Sequence, residues 1–327
     1  MVEDRGLPKW PEDARTLDSM SPFRPALETM EASGSPTFGP AVFQDYLSEH
    51  FGDEIRNSWR TTASWLSPQS LRGPSAPSLD SALQDAGVMV FRLGTGPQSS
   101  ATSFALIKAE SLDDFFLFDE NLVAAREVFD PQVAASDLFP FELLGSMVEA
   151  NALNLAIASG LLQEALGVDA DSPRIGPTTG TSTYTFHIRP HAQFPDLEWT
   201  HENGQVETDA LYFARRRGKW TLFVVEAKQG RPGSLPKHKL VYPALALSAH
   251  QRVREFGEGV DIVPVYLKAW TSDEEIFFQV VECAHEGLQT GEGFISDLTP
   301  VQTRLLAIPR TEDVFVGSLR EEFERDG

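Results

Sequence analysis

Residues 206–228 read VETDALYFARRRGKWTLFVVEAK. Two apolar runs flank a basic turn. Side chains on a strand alternate between faces. In the second run Phe223, Val225 and Ala227 point one way, and Val224, Glu226 and Lys228 the other. A strand apolar on both faces belongs inside a layered fold. A carboxylate and an ammonium at its end are costly to bury unless they are paired or used. In the first run Asp209 is followed by Ala210, Leu211, Tyr212 and Phe213, so it too is an acid in an apolar segment. The turn at Arg216, Arg217 and Gly218 makes the two runs a hairpin. Asp209 and Glu226 are therefore expected to meet on one face.

Upstream, 182–189 (STYTFHIR) reads as the strand before this hairpin. Residues 237–254 read as a helix, and 261–270 (DIVPVYLKAW) and 275–283 (EIFFQVVEC) as two further strands. A long helical pattern over 141–166 precedes the set and stops at Gly167. The order is helix, three strands, helix, two strands. That predicts an α/β (α+β) fold with a mixed central sheet flanked by helices. Residues 1–38 read as a mobile or loosely packed arm, rich in Pro, Ser, Glu and Asp. Residues 39–130 read as an N-terminal α+β module, with a helix over 43–65, a loop over 67–78 and strands at 88–93 and 103–108. It is open whether this module is a winged-helix reader of DNA or a β-structured cap. Residues 131–290 would form the core. Residues 291–327 would be a C-terminal helical extension, with a short helix near 319–325.

Of 327 residues, 41% are hydrophobic, enough for a substantial core. The one cysteine, Cys283, excludes an internal disulfide and any zinc site that needs two thiolates. The opening residues lack the apolar run of a signal peptide, and no run approaches a membrane span, so a cytoplasmic protein is expected. The net charge of −21 opposes a polyanionic partner. The charge is unevenly placed, however. Residues 172–254 hold 12 Lys+Arg against 6 Asp+Glu. Arg215, Arg216, Arg217 and Lys219 form one basic run, and Arg231, Lys237 and Lys239 another. His187 and His191 have helical metal spacing on a strand, and Leu93 to Pro97 completes no phosphate loop, so neither is taken as a site.

Two carboxylates converging beside a lysine suit phosphodiester hydrolysis. Hard oxygen ligands hold Mg²⁺, which polarises the phosphoryl oxygen and activates water. A lysine can orient water and stabilise transition-state charge. With an Asp on the second strand and Glu-x-Lys on the third, the sequence resembles the PD-(D/E)xK nuclease superfamily, restriction endonucleases among them. The motif here is Asp209, 16 residues, then Glu226-Ala227-Lys228. Thr208 stands where the family has its Pro. The resemblance spans roughly residues 140–285. It implies that Asp209, Glu226 and the Ala227 carbonyl bind Mg²⁺ (Mn²⁺ substituting), with Lys228 as the catalytic lysine. Glu149 would be an accessory acid. His238 to Tyr242 matches the spacing of a Gln-x-x-x-Tyr signature, His replacing Gln, so Lys237, His238, Lys239 and Tyr242 become phosphate contacts beside the Arg215–Lys219 run. The expected function is a type II-like restriction endonuclease acting on double-stranded DNA as a homodimer. The alternatives are a repair or mobile-element nuclease without sequence preference, and a non-catalytic DNA- or protein-binding module on a nuclease fold.

Overall fold

The computed structural model describes residues 21–52, 65–72, 78–95, 101–143, 147–173, 176–230, 233–256, 260–288, 290 and 293–309. Its strands are β1 (Thr37–Val42), β2 (Val88–Thr95), β3 (Thr102–Lys108), β4 (Phe116–Phe118), β5 (Arg126–Val128), β6 (Thr178–Ile188), β7 (Trp199–Arg216), β8 (Lys219–Gln229), β9 (Ser234–Pro236), β10 (Val260–Thr271), β11 (Glu275–Ala284) and β12 (Thr299–Pro309). The helices are α1 (Arg24–Ser33), α2 (Phe43–Phe51), α3 (Ser81–Ala86), α4 (Ala135–Glu142), α5 (Glu149–Ala158), α6 (Leu161–Ala165), α7 (His238–Ser248) and α8 (Gln251–Glu255).

The expected mixed sheet is present and flanked by helices. β6 runs antiparallel to β7, and β7 antiparallel to β8. The chain then crosses over through α7, and β10 returns parallel to β8, as a helix-containing connection permits. β11 and β12 add antiparallel, and β5 closes that edge in parallel. On the other side β2, β3 and β1 extend the sheet, joined to β7 by the single pairing of Gly94 with Glu202. Gly94 has φ 78°, and a Cβ there would collide with the Glu202 carbonyl oxygen, so only glycine lets the two strands touch.

Strand alternation sorts the side chains into two apolar layers. On one face Tyr212, Phe223, Val225, Val265 and Phe278 pack with Leu153, Leu155 and Leu162 of α5 and α6. On the other, Val224 and Tyr266 pack with Leu240, Val241 and Leu245 of α7, and with Phe91 and Phe104 of the N-terminal strands. Burying each large side chain contributes about 1.5–3 kcal/mol. The N-terminal strands thus share both a sheet and a core with β7 and β8.

Several sequence expectations are corrected. Residues 21–38 are not a loose arm. α1 starts with Pro25 in its first turn, where proline is tolerated, and Phe23 and Ala26 are fully buried. Residues 1–20 lie outside the described residues. The helix expected over 43–65 is described as α2 only to Phe51, and 53–64 lie outside the described residues. The single helix expected over 141–166 is α4, α5 and α6, with Gly160 at φ 84° breaking the last two apart. That over 237–254 divides into α7 and α8. β2 and β3 are buried on both faces and cannot project as a DNA-reading wing. The described part of the C-terminal extension holds a single 3-10 turn (Ile295–Asp297) and the strand β12, and 319–325 lie outside the described residues. Among the described residues no helix is long and apolar enough to cross a membrane.

Candidate active site

The register of β7 against β8 ends with Ala210 opposite Val225. One step further the strands part, with Asp209 and Glu226 the next residues along each, close enough for the Asp209 charge to act on Glu226. There the Asp209 carboxylate replaces the lost ladder: its Oδ2 accepts from the Ala227 backbone N–H at 2.7 Å. A charged acceptor at this distance is among the stronger hydrogen bonds. Glu226 is buried, its side chain 8% exposed, and Lys228 lies beside it with Nζ 2.9 Å from Glu226 Oε1. The ammonium also donates to the Ala227 carbonyl at 3.0 Å. Glu149, the first residue of α5, reaches over the strand end to within 3.6 Å of Lys228 Nζ. Its place in the first turn puts the carboxylate at the positive end of the helix. Asp209, Glu226, Lys228 and Glu149 are therefore one cluster.

The electrostatics follow from burial and neighbours. Desolvation pushes the Glu226 carboxyl above the ordinary carboxylate range; the Lys228 charge opposes this and Asp209 adds to it. For Lys228, burial disfavours the ammonium, but the charges of Glu226 and Glu149 more than offset that and hold its pKa above the usual lysine value. An open cleft of about 900 Å³ lies against Glu149, Glu207, Asp209 and Ala227.

Carboxylate and carbonyl oxygens are hard donors of the kind Mg²⁺ takes. The oxygens of Glu226, Glu149 and Ala227 already converge on one cation, the Lys228 ammonium. Among the described residues no three His, Cys, Asp or Glu side chains stand close enough to form a ready-made metal cage. The donor chemistry fits a divalent ion. The geometry is that of a cation site filled by the chain's own lysine.

The basic run lies elsewhere. Arg216 pairs with Lys219 at the hairpin tip, seven strand residues from Asp209, or about 23 Å. Arg215 is held by Asp171 at 2.6 Å and Arg216 by Glu282 at 2.6 Å. Arg217, at φ 53°, donates its N–H to Asp169, and Arg217 and Lys219 are exposed. The helix after the motif brings the other four predicted contacts together, though several point inward. Lys237 is buried and spends its ammonium on the Ser296 carbonyl at 2.7 Å. His238 is buried, and desolvation with the Lys239 charge pushes its pKa down to about 3, so it is neutral at physiological pH. Tyr242 is buried with its hydroxyl on the Arg92 carbonyl at 3.1 Å. Lys239 is half-buried and faces a small cavity.

Sequence reasoning missed a second polar group on the same face. Tyr266 stands opposite Glu226 and Lys268 opposite Lys228 in the parallel register. Asp119 ties them together, accepting from the Tyr266 hydroxyl at 2.9 Å and lying 3.3 Å from Lys268 Nζ. A Tyr and a Lys two apart in the apolar run 261–270 are the sequence signal for it. Their partner, 147 residues from Tyr266, is not.

The fold and cluster define a mixed α+β protein with an acidic-lysine site at the parting ends of two central strands. A family profile described as a domain of unknown function (DUF6997) matches residues 135–290, a stretch that contains all four clustered residues. No curated protein and no solved structure matches the chain.

Proposed function

We propose that the protein is a Mg²⁺-dependent endonuclease that hydrolyses phosphodiester bonds in double-stranded DNA, a type II-like restriction enzyme of the PD-(D/E)xK class. The observation that carries this reading is the convergence of Asp209, Glu226 and Lys228 at the point where β7 and β8 part. Asp209, Glu226, the Ala227 carbonyl and Glu149 would hold the metal, which supplies Lewis acidity and an activated water when bound. Lys228, kept protonated by Glu226 and Glu149, is a donor and a positive charge rather than a base. Its role is to orient and neutralise a phosphoryl oxygen as charge builds there. The buried wall behind Glu226 excludes water and strengthens that interaction. Because one site cuts one strand, a homodimer completes a double-strand cut.

The test incubates the protein with methylated and unmethylated plasmid and phage DNA in Mg²⁺, Mn²⁺ or EDTA at low salt. Discrete metal-dependent fragments support the restriction reading, and a smear means a nuclease without sequence preference. Intact DNA throughout favours a second reading, a non-catalytic binding module. One observation speaks for the latter: Lys228 already satisfies the carboxylates as a closed ion network.

A further inference from the structure

Arg92 on β2 differs from the other arginines of the sheet. Arg126 pairs with Glu275, Arg215 with Asp171, Arg216 with Glu282, and Arg304 with Glu127 and Glu164. Among the described residues Arg92 has no carboxylate partner, and its Nε is buried without a hydrogen bond. In a chain carrying 48 Asp+Glu against 27 Lys+Arg, a half-buried arginine without an acid is conspicuous on energetic grounds, because an unpaired desolvated cation is costly. Its backbone is fixed: the Arg92 carbonyl accepts from Tyr242 Oη at 3.1 Å and lies 3.3 Å from His201 Nδ1, which must be that ring's protonated nitrogen.

The arginine lines a cavity of about 260 Å³ shared with His201, Glu207, His238, Lys239 and Tyr242. Lys239 also has no carboxylate partner among the described residues. His238 is 6% exposed, and its Nδ1 is buried without a hydrogen bond among the described residues. Glu207, at the exposed rim, lines both this cavity and the cleft over Asp209, two residues along the same face of β7. The Lys239 charge is felt at Glu226. The cavity therefore adjoins the candidate active site. Two unpaired cations and a neutral imidazole that can donate one N–H form an anion receptor, and a guanidinium matches phosphate geometry.

We propose that this cavity is a phosphate-binding subsite in which Arg92 and Lys239 hold a phosphate group of a nucleotide beside the Asp209–Glu226–Lys228 cluster. The inference deepens the nuclease reading and rests on it for the substrate class. It assigns β2, outside the matched family segment, to substrate binding.

Binding is measured in EDTA, where no cutting intervenes, with inorganic phosphate, thymidine 5′-monophosphate and a short duplex as separate probes. Arg92→Gln and Lys239→Gln are each expected to weaken duplex binding about tenfold regardless of sequence, and to lower the slope of log K against log salt by about one. Arg92→Lys, which keeps the charge, should retain that slope and so controls for folding. If the variants lose phosphate and monophosphate binding but bind duplex normally, the subsite holds and its ligand is a free nucleotide. Wild-type affinity of both variants for all three probes overturns the proposal, as does weaker duplex binding with an unchanged salt slope. Neither outcome depends on cleavage, so a failed catalytic reading is separately visible.

Discussion

Lys228 and Glu226 are the residues on which stability and the proposed chemistry compete. Glu226 is buried, and its carboxyl is shifted upward chiefly by desolvation, with Lys228 opposing. Lys228→Ala would leave a buried carboxylate without its nearest cation. At pH 8 that should cost about 2 kcal/mol. The deficit should shrink on acidification. A carboxyl raised in the folded state binds a proton there before the unfolded chain does, so the folded state gains as pH falls through the raised pKa toward 4.5. Urea denaturation of wild type and Lys228→Ala at pH 8 and pH 5 checks this. An equal deficit at both pH values would mean that Glu226 does not carry the unpaired charge. His238 has the opposite sign. Its pKa is pushed down to about 3, so the unfolded chain takes up a proton that the folded one refuses between pH 6.5 and 3. Stability contributed by this site is lost as pH falls through that window. His238→Gln should flatten the acid limb of stability against pH; an unchanged limb would show the imidazole is not the titrating group.

At the scale of the element, the parting of β7 and β8 makes the site. In the proposed reaction Asp209 would offer oxygen to a metal, and in the fold it holds the Ala227 N–H. The two roles separate by substitution. Asp209→Asn keeps an acceptor and should stay within about 0.5 kcal/mol of wild type, whereas Asp209→Ala should lose about 1–2 kcal/mol. Both should lose cleavage. Equal stability of the two variants in urea would show that the hydrogen bond contributes nothing. The strands themselves were legible from sequence, because runs such as 221–228 and 261–270 are apolar on both faces. The helices were less so. Over 141–166 apolar residues continue past Gly160, and a left-handed glycine can be read as a break only once the chain is seen to turn there. The Pro, Ser, Glu and Asp content of 1–38 reads as a loose arm, although proline in a first turn is compatible with α1.

For the molecule as a whole, the net charge of −21 limits how nucleic acid can bind. With about four phosphate contacts, affinity should fall roughly 100-fold between 50 and 200 mM salt. Anisotropy titrations in EDTA measure that slope, and a flat response would place recognition outside electrostatics. The sequence showed the basic excess of residues 172–254 but not its geometry. Arg215 and Arg216 are spent on Asp171 and Glu282, and Lys237 on a carbonyl, through partners distant in sequence. The same distance hid Arg92 and Asp119, which come from the N-terminal strands and turns to the face that carries Glu226. Asp209, Glu226 and Lys228 were legible because charge inside an apolar strand stands out by itself.

The most direct test is the rate of duplex cleavage at saturating Mg²⁺ for wild type and Glu226→Gln, with folding of both verified by urea denaturation. The proposed nuclease function predicts metal-dependent cutting by wild type and a loss of at least about 100-fold in the variant, which keeps the side-chain shape and removes the charge that would hold the metal. Cutting by the folded variant at the wild-type rate would contradict it.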